Sequence, residues 1–476
     1  MSNHSSYNAV VIGSGPNGLA AAITAATAGM PVTVYEQNHE IGGACRSTEL
    51  IRSGLINDIG AAVHPLALIS PFFRNLPLEQ YGLHWIVPEI AMAHPFEDGT
   101  AAALYRAISE TSATLGSEDS KAYTRLMAPI VGNGQDLVEE ILYLPRVTTR
   151  HPLALMNFGT KAVRSVKGLA EKWFRGKRAK GFIAGLGVHS VMDLNSAGSM
   201  APGLVLAFAA HIAGWPLPRG GSQKIPDALS KYLFQLGGQI RTDCKIQSLE
   251  EIQPYSLLLM DLTPEQIIKI AGEFMPASYT DTLKNYRYGP GVFKIDWILS
   301  EAIPWKAYEC RKAPTVHVGG NYEEIVSAEH DVMEGRIPEK PFVFLVQPSI
   351  IDTTRTRKKG HVAWAYCHVP NGSTISMVEK IEDQIERYAP GFKDIITARH
   401  TMFPEDVEKD NPNCVGGDIT AGRQSLRRMI FPELSCTTPL KNMFLCSAVI
   451  SPGPGVHGMC GVRASRTAMR KLFGNR

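Results

Sequence analysis

The chain has 476 residues, 44% hydrophobic and 20% charged, with a formal net charge of +3, the makeup of an ordinary globular protein long enough for two domains. Gly, Pro, His or a charge interrupts every apolar stretch before it reaches the roughly 18 residues that span a bilayer, which excludes an integral membrane protein, and no basic and apolar leader precedes the first strand, so no secretory signal is expected. The eight cysteines (Cys45, Cys244, Cys310, Cys367, Cys414, Cys436, Cys446 and Cys460) are scattered without Cys-x-x-Cys or metal-ligand spacing, which points to a reducing, cytoplasmic compartment and to no bound metal.

The most informative stretch comes first. Val10 to Ile12 reads as a buried strand, followed by Gly13-Ser14-Gly15-Pro16-Asn17-Gly18, an alanine-rich helix pattern to about Gly29, and a second apolar strand, Val32 to Tyr35, closed by Glu36. The three glycines answer separate physical needs, with Gly13 allowing a tight turn, Gly15 a close approach to a pyrophosphate and Gly18 close packing of helix on strand. Pro16 suits the first helical position, where its missing N–H would be unpaired anyway, and leaves the other early amides free to face an anion. Glu36 stands about twenty residues beyond the glycines, where a carboxylate accepts from a ribose 2′-OH and repels a 2′-phosphate. Strand, glycines, helix, strand and acid in this order make a dinucleotide-binding βαβ unit, with NAD and FAD both open. Gln37-Asn38-His39-Glu40-Ile41-Gly42-Gly43-Ala44-Cys45-Arg46-Ser47 follows. An acid, a short spacer, Gly-Gly and then Arg/Ser resembles the second fingerprint of the flavin-binding amine oxidase and carotenoid desaturase superfamily. A redox dithiol would place a partner for Cys45 about five residues on; that position is Leu50, so Cys45 is expected to be a small packed residue.

Between Arg146 and Lys180 ten bases meet one acid, Glu171, so the segment carries +9 while the remainder of the chain carries −6. Its bases are interleaved with Leu153, Leu155, Met156, Phe158, Val163, Val166, Leu169, Trp173 and Phe174. Two readings stay open: an amphipathic stretch (146–180) lying on an anionic membrane surface, or a solvated helical face. No recognition motif accompanies the patch, so no nucleic-acid partner is expected. Gly185-Leu186-Gly187-Val188-His189-Ser190 fails as a second nucleotide fingerprint at its last glycine, and NAD(P)H is not expected as a stable partner.

Further strand-like pieces that could complete the first sheet recur downstream. Arg219-Gly220-Gly221-Ser222 leads into a helix pattern through Leu229 to Leu236; Gly237 to Leu249 reads as strand, turn and strand; Ser256 to Met260 is a buried strand; and Thr263-Pro264 starts a helix. A last instalment runs Asn442 to Cys446, then Pro452-Gly453-Pro454-Gly455-Val456-His457-Gly458, then a helix from about Met459 to Leu472. The glycine-rich loop opening that helix is a second anion- or dipole-binding terminus. The expected domains are therefore 1–75, 215–270 and 415–476 for the cofactor, and 76–214 and 271–414 for the substrate.

Over its whole length the chain resembles the phytoene-dehydrogenase-like branch of the FAD-dependent desaturases, including the relatives of pyridine nucleotide-disulfide oxidoreductase domain 2 proteins. The N-terminal fingerprint carries the resemblance, with Asp58-Ile59-Gly60-Ala61-Ala62-Val63-His64-Pro65, Gly214-Trp215-Pro216 leading to Arg219-Gly220-Gly221, Tyr288 to Trp297, and Pro452 to Gly461. It implies an α/β fold: a Rossmann-like FAD-binding domain of the glutathione reductase type, split in sequence, plus an α+β substrate domain with a mixed sheet and helices. It also implies that Gly13, Gly15, Asn17 and Gly18 surround the FAD pyrophosphate and that Glu36 holds the adenosine ribose, with Ser14, Pro16 and Gln37 also among the cofactor-binding residues. Gly43 and Arg46 would follow the diphosphate and ribityl chain and the backbone of Ile246 would meet adenine, with Gly42, Ala44, Ala61, Ala62 and Ala448 as further cofactor-binding residues. Gly455, Val456 and His457 would face the flavin pyrimidine edge. Two departures stand out. Cys446-Ser447-Ala448 lacks the acid many relatives carry after the last strand, and Phe431-Pro432 replaces a common Arg-Pro.

Flavin accepts hydride, and a C–C desaturation must also release a proton. His64 and His457, each in a glycine- or proline-flanked loop tied to a cofactor motif, are the catalytic candidates; equally open is that each only hydrogen-bonds backbone or packs on the ring. His211, Trp215 and Asp296 are weaker candidates. The functional expectation is an FAD-dependent desaturase, saturase or isomerase acting on an apolar, isoprenoid or polyene small molecule. Electrons would pass to oxygen or a quinone, and the cytoplasmic protein would sit peripherally on a membrane if the basic segment binds one. The alternatives are a soluble flavin oxidase of an amine or other small polar substrate, and a non-catalytic FAD-binding protein.

Overall fold

The computed structural model describes residues 7–143, 149–357 and 360–474. Five short strands lie side by side, all parallel, in the order Met443–Leu445, Leu257–Met260, Ala9–Ile12, Val32–Tyr35, Gln239–Arg241. Ala9–Ile12 and Leu257–Met260 are apolar and buried at every position, as a parallel sheet covered on both faces requires. The fingerprint helix Pro16–Thr27 packs against the C-terminal helix Met459–Phe473 at backbone distance: a Cβ on Gly461 would fall 1.9 Å from the Asn17 carbonyl oxygen. This sheet is thus assembled from strands at residues 9–35, 239–260 and 443–445.

A seven-stranded mixed sheet forms the second layer, in the order Ile396–Met402, Gly291–Leu299, His361–Val369, Val343–Val346, Thr315–Val318, Ile90–Pro95, Ala101–Tyr105. Its pairings are antiparallel except that of Thr315–Val318 with Ile90–Pro95. Register decides what each face carries, because side chains alternate along a strand. One face bears the row Asp296, Trp364, Val346, Thr315 and, beside it, the row Lys294, Tyr366, Phe344, His317. The other bears Ile295, Ala365, Leu345 and Val316, packed with Met377, Ile381, Ile385 and Tyr388 at the helix Val378–Tyr388. The apolar face is sealed by that helix; the aromatic face lines a cavity.

Two expectations need correction. After Gln239–Arg241 no second strand forms: Asp243 takes a left-handed backbone (φ +54), the Cys244 N–H donates to the Glu36 carbonyl, and Lys245 to Leu249 leave the sheet irregularly. The basic segment is not one stretch but three helices, Pro152–Ala162, Val166–Trp173 and Lys177–Val188, and Arg146 lies outside the described residues. Gly185 and Gly187 are buried inside the last of these, where a Cβ on Gly187 would meet Val166 at 2.2 Å, so they serve helix packing.

A candidate cofactor and substrate site

At the carboxyl ends of the parallel strands, the fingerprint turn has the geometry its glycines demand. Gly13 has φ +98, and a Cβ on Gly18 would fall 2.1 Å from the Gly13 carbonyl oxygen, so only glycine lets helix and strand meet there. Glu36 is 7% exposed and ties the turn to the second strand: its Oε2 accepts from the Ser14 N–H (2.9 Å) and hydroxyl (2.6 Å), and its Oε1 from the Asn38 N–H (3.0 Å). Two carboxylate oxygens offer about four acceptor directions, so capacity is left for a ligand hydroxyl. Asn17 Oδ1 is buried in the same wall without a hydrogen-bond partner, an orphaned group of the kind a polar ligand satisfies, and Thr263 lines the wall beside it.

Asp261 was not singled out in the sequence. It directly follows the buried strand Leu257–Met260, and its Oδ2 accepts the Gly18 N–H at 2.9 Å, which sets a carboxylate against the start of the fingerprint helix. Burial, reinforced by the nearby Glu36 charge, pushes its carboxyl up to about 7, against the pull of the Gly18 amide. An acid thus follows the strand Leu257–Met260, whereas Cys446-Ser447-Ala448 follows the last strand. The signal was available, since in an open parallel sheet the residues just past the strand ends face the ligand crevice.

The second fingerprint divides. Gly43 and Ala44 line the cavity with Gln37, Ala61, Ala62, Ile246, Ala448, Gly455 and Val456. Gly42, Gly18 and Arg46 are absent from its wall. Gly42 instead packs beneath Pro226, and Arg46 turns to the Gly43 carbonyl (3.0 Å) and to Asp410. Cys45 is fully buried.

Both candidate histidines are buried and kept neutral by desolvation, each imidazole pushed down to about 4. They differ in what their nitrogens do. His457 accepts the Met459 N–H at Nδ1 (3.0 Å) and faces the Gly453 carbonyl with Nε2 (3.1 Å), so both are engaged within the Pro452–Gly458 loop. His64 bonds Ser222 Oγ through Nε2 (2.8 Å), while its Nδ1 has no partner. Behind it Asp58, fully buried, accepts from the Ser222 N–H, from Ser47 and from Arg355, itself fully buried.

From this cleft a cavity of about 1370 Å³ continues onto the aromatic face of the seven-stranded sheet. One small-molecule site occupies roughly 300–1,000 Å³, so the space accommodates a cofactor and a substrate together. Trp364 and Tyr366 stack at 6.0 Å, Tyr366 and Phe344 at 4.6 Å, and Trp364 clusters with Ala62. Lys294 Nζ lies 5.0 Å from the Trp364 ring centre and pairs with buried Asp296. His211 is held in the core by the Tyr123 hydroxyl (2.7 Å). The helices Gly134–Leu142, Pro152–Ala162 and Met200–Ile212 close the opposite wall through Ile141, Phe158 and Val205.

A split parallel sheet with a glycine fingerprint, opening onto an aromatic chamber, is the architecture of a Rossmann-like dinucleotide-binding oxidoreductase. Residues 11–76 match the family described as NAD(P)-binding Rossmann-like domain. Along almost its full length the chain is 22% identical to pyridine nucleotide-disulfide oxidoreductase domain-containing protein 2 of Rattus norvegicus, covering 98% of this chain and 94% of that one. It is 22% identical to 4,4'-diapolycopen-4-al dehydrogenase of Metabacillus indicus (94% and 93% covered) and 23% identical to the neurosporene-forming phytoene desaturase of Rhodobacter capsulatus (95% and 92%). Solved structures share the fold: an oxidoreductase from Methanosarcina mazei (TM-score 0.65, 13% identity, 97% and 100% covered) and putrescine oxidase bound to putrescine (TM-score 0.62, 15%, 97% and 98%). The chain is a homologue of the carotenoid desaturases and of the domain-containing protein 2 proteins, and it is an oxidoreductase.

Proposed function

We propose that the protein is an FAD-dependent oxidoreductase acting on an elongated apolar polyene or isoprenoid. The observation that carries this reading is the continuous cavity, which passes from the fingerprint turn to a stacked aromatic wall of Trp364, Tyr366 and Phe344. Six of the relatives that align along nearly all of this chain are named for carotenoids. When bound, FAD supplies a hydride acceptor. Glu36 would hold a ribose hydroxyl, and Asn17 and Thr263 would meet polar atoms of the dinucleotide. Ala61, Ala62, Gly455 and Val456 would border the flavin side. Of the two histidines, His64 with its unpartnered Nδ1 would handle a substrate proton, and His457 would set the shape of its loop. Desolvation keeps both neutral, so neither adds a charge to an apolar chamber.

An approach from an anionic membrane fits the same geometry. Leu153 (74% exposed) and Met156 (61%) project from the helix whose buried Phe158 lines the cavity, with Arg150, Lys161, Arg164 and Lys167 nearby in sequence. Among the described residues no helix is long and apolar enough to cross a membrane.

The test is anaerobic incubation of holoprotein with a polyene hydrocarbon in liposomes, followed by chromatography. A product with more conjugated double bonds supports the reading; turnover of small amines with the polyene untouched rejects it in favour of the flavin amine oxidase alternative.

A further inference from the structure

The cavity face of the strand His361–Val369 carries Trp364, Tyr366 and His368 at two-residue steps. His368 therefore lies about 13 Å along the strand from Trp364, the residue that clusters with Ala62. It is 2% exposed, and its Nδ1 is 2.8 Å from Oε2 of Glu329, which is 1% exposed on the helix Tyr322–Met333. A carboxylate only accepts hydrogen bonds, so Nδ1 carries a proton, and in the neutral ring Nε2 keeps a lone pair. That Nε2 has no hydrogen-bond partner, although His368 forms part of the cavity wall. The rings of Phe344 (5.4 Å) and Tyr366 (6.0 Å) flank it. An oriented acceptor thus stands in an otherwise aromatic stretch, where leaving it unpaired is costly and a ligand O–H would satisfy it.

We propose that His368, held by Glu329, is a specificity-determining residue that accepts a hydrogen bond from a hydroxyl group on the otherwise apolar substrate. The proposal rests on the polyene reading above and narrows it to hydroxylated polyenes or isoprenoids. A carbonyl group brings no proton and so cannot satisfy the lone pair. Sites built to bond a substrate hydroxyl discriminate strongly against analogues that lack it.

Three probes of nearly equal shape test this: retinol, retinal, and axerophthene, the hydrocarbon with a methyl group in place of the alcohol. Binding to the holoprotein is read by quenching of tryptophan fluorescence, since Trp215 and Trp364 line the cavity. Retinol is expected to bind about 10-fold more tightly than either of the others. His368→Phe is expected to reduce that preference to within about two-fold while axerophthene binding is kept. The wild-type comparison needs no variant and decides alone. If the holoprotein binds retinol and axerophthene equally, this inference falls and the polyene reading stands. Discrimination that survives His368→Phe also overturns the role of His368. If none of the three probes binds, the polyene reading fails and takes the inference with it.

Discussion

Replacing Asp261 by Asn keeps the side-chain volume and an acceptor for the Gly18 N–H but removes a carboxylate that burial holds at about 7 rather than its ordinary 3.8. A shift of about 3 pH units corresponds to about 4 kcal/mol. The sign follows from linkage. A carboxyl whose folded pKa is raised costs nothing below its unfolded value; the cost grows as pH rises from 3.8 toward 7 and is complete above 7. Wild-type apoprotein should therefore lose stability over that window relative to Asp261→Asn. Unfolding entropy is about 2.1 cal/mol/K per residue, or on the order of 1 kcal/mol/K for this chain if it melts cooperatively, so the difference amounts to about 4 °C in Tm. Thermal melts of both apoproteins from about pH 5 to 8.5 give the comparison. The expected result is a gap between the curves that opens with rising pH and levels off above neutrality. Parallel curves would refute the claim that Asp261 is an uncompensated buried acid at the mouth of the dinucleotide cleft.

Three further outcomes follow from the same geometry. His457→Leu removes the hydrogen bonds to Met459 N–H and the Gly453 carbonyl; a loss of about 1–3 kcal/mol and a lower ratio of flavin to protein on purification are expected, read by denaturant melts and absorbance. Gly18→Ala must displace the backbone at Gly13, whereas a Cβ on Gly29, at φ +85, meets nothing within 4 Å; the first should lose flavin entirely, and the second should cost only about 1–2 kcal/mol of backbone strain with flavin retained. Leu153→Asp combined with Met156→Asp should abolish flotation with anionic liposomes and leave the melting temperature within about 2 °C of wild type, since both side chains are exposed. Flotation of the double variant at the wild-type level would reject the membrane surface.

The fingerprint turn was legible because its instructions are local. Gly13, Gly18, Pro16 and Glu36 each answer to a neighbour within the same βαβ unit, so spacing alone reports the geometry. The strand Leu257–Met260 and the C-terminal helix from Met459 were readable for the same reason. What the residues do across the fold was not. Asp261 reaches Gly18 only because two strands far apart in sequence pair in parallel. Arg46 was expected to follow the cofactor, but Asp410, 364 residues on, draws it away. The aromatic wall depends on register between strands whose order no periodicity discloses, although the alternation Trp364, Tyr366, His368 already marked one face of one strand. The same limit applied to Lys245–Leu249, where alternation suggested a strand but no neighbour was placed to pair with it.

The central claim is that this cavity delivers an elongated apolar substrate to a flavin. Its most direct test is anaerobic mixing of purified holoprotein with a panel of polyenes and small amines while the visible flavin band is recorded. The account predicts bleaching by polyenes and none by amines; bleaching by amines alone, or by neither class, would contradict it.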